Sequence, residues 1–213
     1  MNDRKVGIIG VGHVGAHVAY SLAIQGIVDE LVLADTDTAR VESEYQDLLD
    51  ALPHMPHRTR VSIGEYEDLA DCDLIVNSAG HIELLLGSDD RSRELKFTIP
   101  AVHTWVDRVR KAGFDGVVLN ISNPCDVVTR EIAKSLGLRN GQACWAAGTG
   151  LDSARLVTQI VKRPMWIRIP FRPSCSANTA IPCLLPGPVS PSMACPSTRW
   201  RNKILAGIST DRK

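Results

Sequence analysis

Apolar runs alternate with amphipathic stretches along the first 163 residues, the pattern of βαβ units and a parallel sheet. Short apolar runs bounded by turn residues predict strands, the first of them buried. They are Val6-Gly7-Ile8-Ile9, Leu31-Val32-Leu33-Ala34, Arg60-Val61-Ser62-Ile63, Leu74-Ile75-Val76, Val117 to Ile121, and Cys144 to Ala147. Between them, Val14, Val18, Leu22 and Ile24 outline a helix that ends near Gly26. Further helices are expected over 38–51, from about Glu94 to Lys111 with Pro100 as a kink point, from Asp126 to Leu136, and from Leu151 to Lys162. A loop is expected from Gly80 to about Asp90. Six strands with interleaved helices predict an α/β fold, a Rossmann-type doubly wound parallel sheet.

The remainder reads differently. Residues 164–213 carry eight of the twelve prolines, seven Lys/Arg, one acid (Asp211) and no histidine. They show no sustained period of 2 or 3.6, so no element is assigned there, and composition alone suggests a disordered Pro-rich tail.

Bulk chemistry narrows the partners. Hydrophobic content of 44%, charged content of 23% and zero net charge suit a soluble globular protein. They give no electrostatic reason for a nucleic-acid or membrane partner. No apolar run approaches the roughly 20 residues that span a bilayer. Met1-Asn2-Asp3-Arg4-Lys5 leads straight into a strand, leaving no room for a signal peptide, so a cytoplasmic location is expected. The six cysteines (72, 125, 144, 175, 183, 195) show no CxxC or other metal spacing, and no metal site is expected. Cys72, Cys125 and Cys144 sit in strand-like or strand-end contexts as small core residues.

Chemistry concentrates first at Gly10-Val11-Gly12-His13-Val14-Gly15, which follows a strand and opens a helix. Glycines there allow a tight turn, close approach of backbone to a pyrophosphate, and close helix–strand packing. The helix N-terminus then presents free N–H groups and the positive end of its dipole to the phosphates. Asp35 lies 20 residues after Gly15 at the end of the second strand, where a carboxylate accepts ribose hydroxyls and repels a 2′-phosphate. NAD is therefore the expected cofactor.

Three further stretches carry a family resemblance. Ile121-Ser122-Asn123-Pro124-Cys125-Asp126 resembles the T/S-N-P-x-D segment of the L-lactate and malate dehydrogenases. Gly148-Thr149-Gly150-Leu151-Asp152-Ser153-Ala154-Arg155 resembles their G-T-x-L-D-[ST]-A-R segment, and Asp90-Arg91 before Glu94-Leu95-Lys96-Phe97 resembles their mobile loop. The wording Ile8-Ile9-Gly10 and Glu94-Leu95-Lys96-Phe97 is most similar to the L-2-hydroxyisocaproate dehydrogenase branch.

The resemblance covers residues 5 to about 163. It implies hydride exchange between a nicotinamide and a 2-hydroxy or 2-oxo acid, in enzymes that are homo-oligomeric at full length; the assembly of this chain is left open. It assigns Asp152 to the carboxylate that orients a proton-transfer histidine, and Arg155 to the fork on the substrate carboxylate. Arg91 matches the loop arginine that polarises the carbonyl, and Asn123 the asparagine bonding the substrate oxygen near the nicotinamide. Gly10, Gly12, His13, Val14, Gly15, Asp35, Ala79, Gly80, Ile121 and Asn123 are then the cofactor-binding positions. The loop segment His81-Ile82-Glu83-Leu84-Leu85-Leu86 has no arginine before Arg91, which disfavours a dicarboxylate and so a malate dehydrogenase. Lactate and branched 2-hydroxy acids stay unseparated, since an apolar pocket discriminates between them by only about 1–3 kcal/mol.

One component is missing. The family histidine lies in a G-E-H-G segment about two dozen residues after the carboxylate-binding arginine, near position 179, where this chain reads Ser176-Ala177-Asn178-Thr179-Ala180. The genetic code offers a reason. Each codon can be re-read from its third base and the next two. Met165 and Trp166 then yield valine, and Trp166 with Ile167 yields aspartate, without choice. Across Ser174 to Cys183 the permitted reading contains Gly-Glu-His-Gly, with the histidine or a tyrosine forced at Asn178–Thr179. The expectation is a domain over 1–163 followed by a frameshifted, non-native tail over 164–213. The dehydrogenase would lack most of its substrate domain and be catalytically defective. The alternative is an NAD-binding module without catalysis.

Overall fold

The computed structural model describes residues 3–81, 91–137, 144–161, 174–175 and 182–183. Its elements follow the expected alternation. They are β1 (Lys5–Ile9), α1 (His13–Gln25), β2 (Glu30–Ala34), α2 (Thr38–Ala51), β3 (Arg60–Ile63), β4 (Leu74–Asn77), α3 (Leu95–Lys111), β5 (Val117–Asn120), α4 (Cys125–Ser135), β6 (Cys144–Ala146) and α5 (Gly148–Val161). Short 3₁₀ turns occupy Leu52–His54, Tyr66–Leu69 and Arg91–Glu94. The described chain divides into two compact units, one running through Trp145 and the other beginning at Ala146.

The sheet order is β3-β2-β1-β4-β5-β6, the doubly wound arrangement with its reversal between β1 and β4. Ile9 of β1 stands opposite Ala34 on one side and Asn77 on the other, and Asn77 stands opposite Asn120 of β5. These strand ends define the edge where such folds bind ligands.

Successive residues of the strands feed opposite layers, which is why they read as continuous apolar runs. Ile8, Leu31, Leu33 and Val76 pack with Ala19, Ala23, Val41 and Leu48 beneath α1 and α2. Ile9, Val32, Ile75 and Val118 pack with Val102, Trp105, Val109, Val128 and Ile132 beneath α3 and α4. Helix α2 starts where Asp37 caps it, its side chain accepting the N–H of Arg40 at 3.1 Å. Helix α3 continues through Pro100.

Helix α1 ends at Gly26 as expected, and the structure adds which of its residues meet the sheet. The side facing the sheet consists of Gly15, Ala19 and Ala23, whereas Val14 and Ile24 are exposed. Small residues at four-residue spacing let the helix axis come close to the sheet, with Val18 and Leu22 half-buried against the flanks of the same core. Several boundaries also shift by a residue or more: β5 stops at Asn120, α4 begins at Cys125, and α5 takes in Gly148-Thr149-Gly150. In the tail, Ser174–Cys175 (β7) pairs antiparallel with Pro182–Cys183 (β8). Two-residue strands are too short to leave a periodic signal.

Candidate cofactor-binding site

The glycine turn is shaped by what surrounds it. Gly10 has φ 83°, and a Cβ on it would lie 2.7 Å from the backbone nitrogen of Ala79. That left-handed conformation beside a neighbouring backbone admits only glycine. A Cβ on Gly15 would overlap the carbonyl oxygen of Gly10 and lie 2.6 Å from Ser78 Oγ. Gly12 differs, since it faces open space whose nearest atom to a Cβ is Arg40 Nη1 at 3.6 Å. Gly12 is also the N-cap of α1 and has no side chain to bond the first N–H groups. Those donors remain for an anion.

Hydrogen bonds that extend the strands carry the sheet edge up to this turn. Gly10 N–H donates to Ala34 O at 2.9 Å, and Ser78 N–H to Ile9 O at 2.8 Å. The Ser78 hydroxyl bridges back to Ile9 O at 3.1 Å and to Gly10 O at 2.5 Å. Asp35, half-buried at the end of β2, closes the turn from the far side. Its Oδ2 accepts the N–H of Val11 at 2.7 Å, and its Oδ1 accepts the N–H of Asp37 at 3.0 Å. Each oxygen keeps a second lone pair for a hydroxyl. Below Asp35, burial and the nearby Asp35 carboxylate push the Tyr66 hydroxyl pKa up, while Arg108 lies over the Tyr66 ring at 4.9 Å.

The other wall is the end of β5. Ile121 N–H donates to Asn77 O at 2.9 Å, and the Asn123–Pro124 peptide is cis. Ile121 and Asn123 are half-buried, as is Ala79, whereas Gly80, His13 and Val14 are exposed. The unit ending at Trp145 thus brings Gly10, Gly12, His13, Val14, Gly15, Asp35, Ala79, Gly80, Ile121 and Asn123 to one edge of the sheet.

The catalytic candidates are distributed otherwise. Asp152 and Arg155 lie on α5 in the second unit, exposed, with Arg155 Nη1 3.5 Å from Asp152 Oδ1. Arg91 opens a 3₁₀ turn, with its side chain outside the described residues, as are Ile82 to Asp90 and nearly all of the tail. Cys72 and Cys144 are buried, and burial pushes both thiols up to about 12. Cys125 is half-buried rather than a full core residue.

Sequence reasoning passed over several residues at this edge. Arg40 sits in the first turn of α2, Asn77 and Asn120 end central strands, and Ser78 follows β4 directly. An arginine five residues after Asp35 was the available signal for the first. Asparagines at the ends of apolar strands were the signal for Asn77 and Asn120.

A hydrogen-bond-accepting carboxylate at the end of β2, a glycine turn without side chains and a helix N-terminus with no side-chain cap together define a dinucleotide-binding α/β domain. Residues 4–144 match the family described as lactate/malate dehydrogenase, NAD binding domain, and the chain belongs to that family. It is 39% identical over 156 residues to an L-lactate dehydrogenase of Fusobacterium nucleatum, covering 73% of this chain and 48% of the relative. Against an L-lactate dehydrogenase 1 of Bifidobacterium longum it is 38% identical over 160 residues, covering 75% and 50%.

Among solved structures, a lactate dehydrogenase from a Medee basin deep-sea metagenome superposes with TM-score 0.68 at 36% identity, covering 76% of this chain and 51% of that one. The minor L-lactate dehydrogenase of Enterococcus mundtii gives 0.69 at 32%, covering 75% and 50%. The chain therefore spans about half the length of the relatives it matches. NAD is the cofactor of the matched domain, and the cradle at Gly10, Gly12 and Gly15 with Asp35 beside it fits that group. Among the described residues, no helix is long and apolar enough to cross a membrane.

Proposed function

We propose that this chain is the cofactor half of an NAD-dependent L-2-hydroxy-acid dehydrogenase, separated from its catalytic base by a shift of reading frame after about Arg163. The observation that carries the cofactor part of this reading is the Asp35 carboxylate held in the glycine turn by Val11 N–H. Bound NAD would supply the hydride-accepting ring. The chain's own residues would do the rest. The α1 N-terminus would hold the pyrophosphate, Asp35 would take the ribose hydroxyls, and Ile121 and Asn123 would line the nicotinamide end. In the intact lineage, Asp152 would hold the histidine in one tautomer, Arg155 would fork onto the substrate carboxylate, and Arg91 would polarise its carbonyl. The arginine-free segment 82–86, apolar apart from Glu83, favours a 2-oxo acid with an aliphatic side chain, of the lactate or 2-hydroxyisocaproate type. Residues 1–163 form the native portion and 164–213 the out-of-frame tail, in a cytoplasmic protein with a small acid as its partner.

A second reading, an NAD-binding module without catalysis, is favoured by one observation: no histidine follows His103. Sequencing the coding DNA around Arg163 tests the frame. A Gly-Glu-His-Gly segment in the shifted frame supports the damaged-enzyme reading, and a stop codon or no such segment ends it. Following NADH absorbance with several 2-oxo acids, before and after restoring the frame, then separates the two functions. Activity gained on restoration is expected, and its absence leaves the binding module.

A further inference from the structure

Interior strands of a parallel sheet are ordinarily filled by aliphatic residues, yet β4 and β5 each end on a buried asparagine. Asn77 is 1% exposed and Asn120 fully buried, and the two are paired in register. Amides so placed must be hydrogen-bonded to be tolerated, and their partners point to one purpose. Asn120 reaches around the loop that follows its own strand. Its Oδ1 accepts the N–H of Ser122 at 3.2 Å. Its Nδ2 lies 3.2 Å from Ser122 O, 3.0 Å from Cys125 O and 3.0 Å from Thr129 Oγ1. The side chain therefore grips the backbone on both sides of Asn123-Pro124.

Asn77 fixes the gripping amide. Its Nδ2 donates to Asn120 Oδ1 at 2.8 Å and also lies 3.2 Å from Ser122 Oγ, whose hydroxyl returns to Asn77 O at 3.3 Å. Asn77 Oδ1 is buried with no partner among the described residues. A residue that keeps an unsatisfied acceptor in the core while orienting a second amide is poorly explained by stability alone.

We propose that Asn120, oriented by Asn77, is a positioning residue that sets the Ser122-Asn123-Pro124 loop for the nicotinamide end of the cofactor. The proposal rests on the reading of Asn123 given above. It separates the two ends of the dinucleotide, because the adenosine end is held by Asp35 and the glycine turn, which Asn120 does not touch.

The test is calorimetric titration of the 213-residue chain with NAD and, separately, with ADP-ribose, which lacks the nicotinamide. In N120V the preference for NAD over ADP-ribose is expected to fall by up to about tenfold, while ADP-ribose affinity stays near that of the unsubstituted chain. N77V, which also removes the unsatisfied acceptor, keeps the fold measurable if N120V does not. It is expected to shift the ratio in the same direction by less. A ratio unchanged within about twofold in the folded variants overturns the proposal. So does an unsubstituted chain that binds NAD no more tightly than ADP-ribose. Failure to bind either ligand overturns the cofactor reading itself.

Discussion

The carboxylate of Asp35 accepts the main-chain N–H of Val11 at 2.7 Å, tying the end of β2 to the glycine turn that follows β1. The residue that would read the ribose is thus the one that shapes the turn facing the phosphates. The contact joins residues 24 positions apart, and β1 lies beside β2 in the sheet.

Removing that carboxylate has two consequences. D35A leaves Val11 N–H without its acceptor, and a buried donor so orphaned costs about 1–3 kcal/mol. Chemical denaturation is expected to show that loss, and titration a fall in NAD affinity of about tenfold or more. Unchanged stability together with unchanged affinity would contradict the assignment.

Two glycines of the turn should respond differently to alanine. G15A drives a methyl into the Gly10 carbonyl and against Ser78 Oγ, so loss of the folded state, read by circular dichroism, is expected. G12A meets only Arg40 Nη1 at 3.6 Å. Its fold should survive with a change of about 1 kcal/mol as an N-cap substitution, while the added methyl blocks close approach of a pyrophosphate. A G12A chain that binds NAD normally would remove the turn from the site.

Much of this was readable in the sequence, and the rest was not for identifiable reasons. Helix α2 fell over 38–51 as expected because Asp37 is a strong cap at the head of an amphipathic run. β3 at 60–63 was found although it is mostly exposed, because Ile63 and Val61 alternate with polar residues. α1 was located, but the residues that form its closest face to the sheet were not. Periodicity weights large apolar residues, whereas close packing on the sheet selects Gly15, Ala19 and Ala23. Asp35 was recognised from its spacing, but its bond to Val11 depends on tertiary approach that no local pattern encodes. Asn77 and Asn120 read only as polar strand ends, since their pairing exists only once β4 and β5 are in register.

Buried thiols give a pH signature. Burial raises Cys72 and Cys144 to about 12, above the ordinary thiol range, so the folded chain holds those protons more tightly than the unfolded one. The resulting stability is fully present below the unfolded value and is lost as pH rises from there through about 12. The decline is at most about 1.4 kcal/mol per pH unit for each thiol. Denaturation midpoints between mildly and strongly alkaline pH should fall less steeply in C72A and C144A than in the parent. Equal slopes would show that neither thiol titrates with unfolding.

Restoring the reading frame should restore chemistry. Insertion of one base near the codon of Arg163 is expected to convert a chain with no measurable turnover into one that oxidises NADH with aliphatic 2-oxo acids, with oxaloacetate the poorer substrate. Within that restored enzyme, D152N should depress kcat while R155K mainly raises KM. Turnover by the unrestored 213-residue chain at ordinary rates would refute the account of its missing base.

The central claim is that this chain carries a working NAD site built on Asp35 and the glycine turn. Calorimetric titration of the purified chain with NAD and with NADP tests it most directly. Saturable binding of one NAD per chain is expected, with NADP weaker by about tenfold or more because Asp35 repels a 2′-phosphate. No saturable NAD binding, or NADP bound as tightly as NAD, would contradict it.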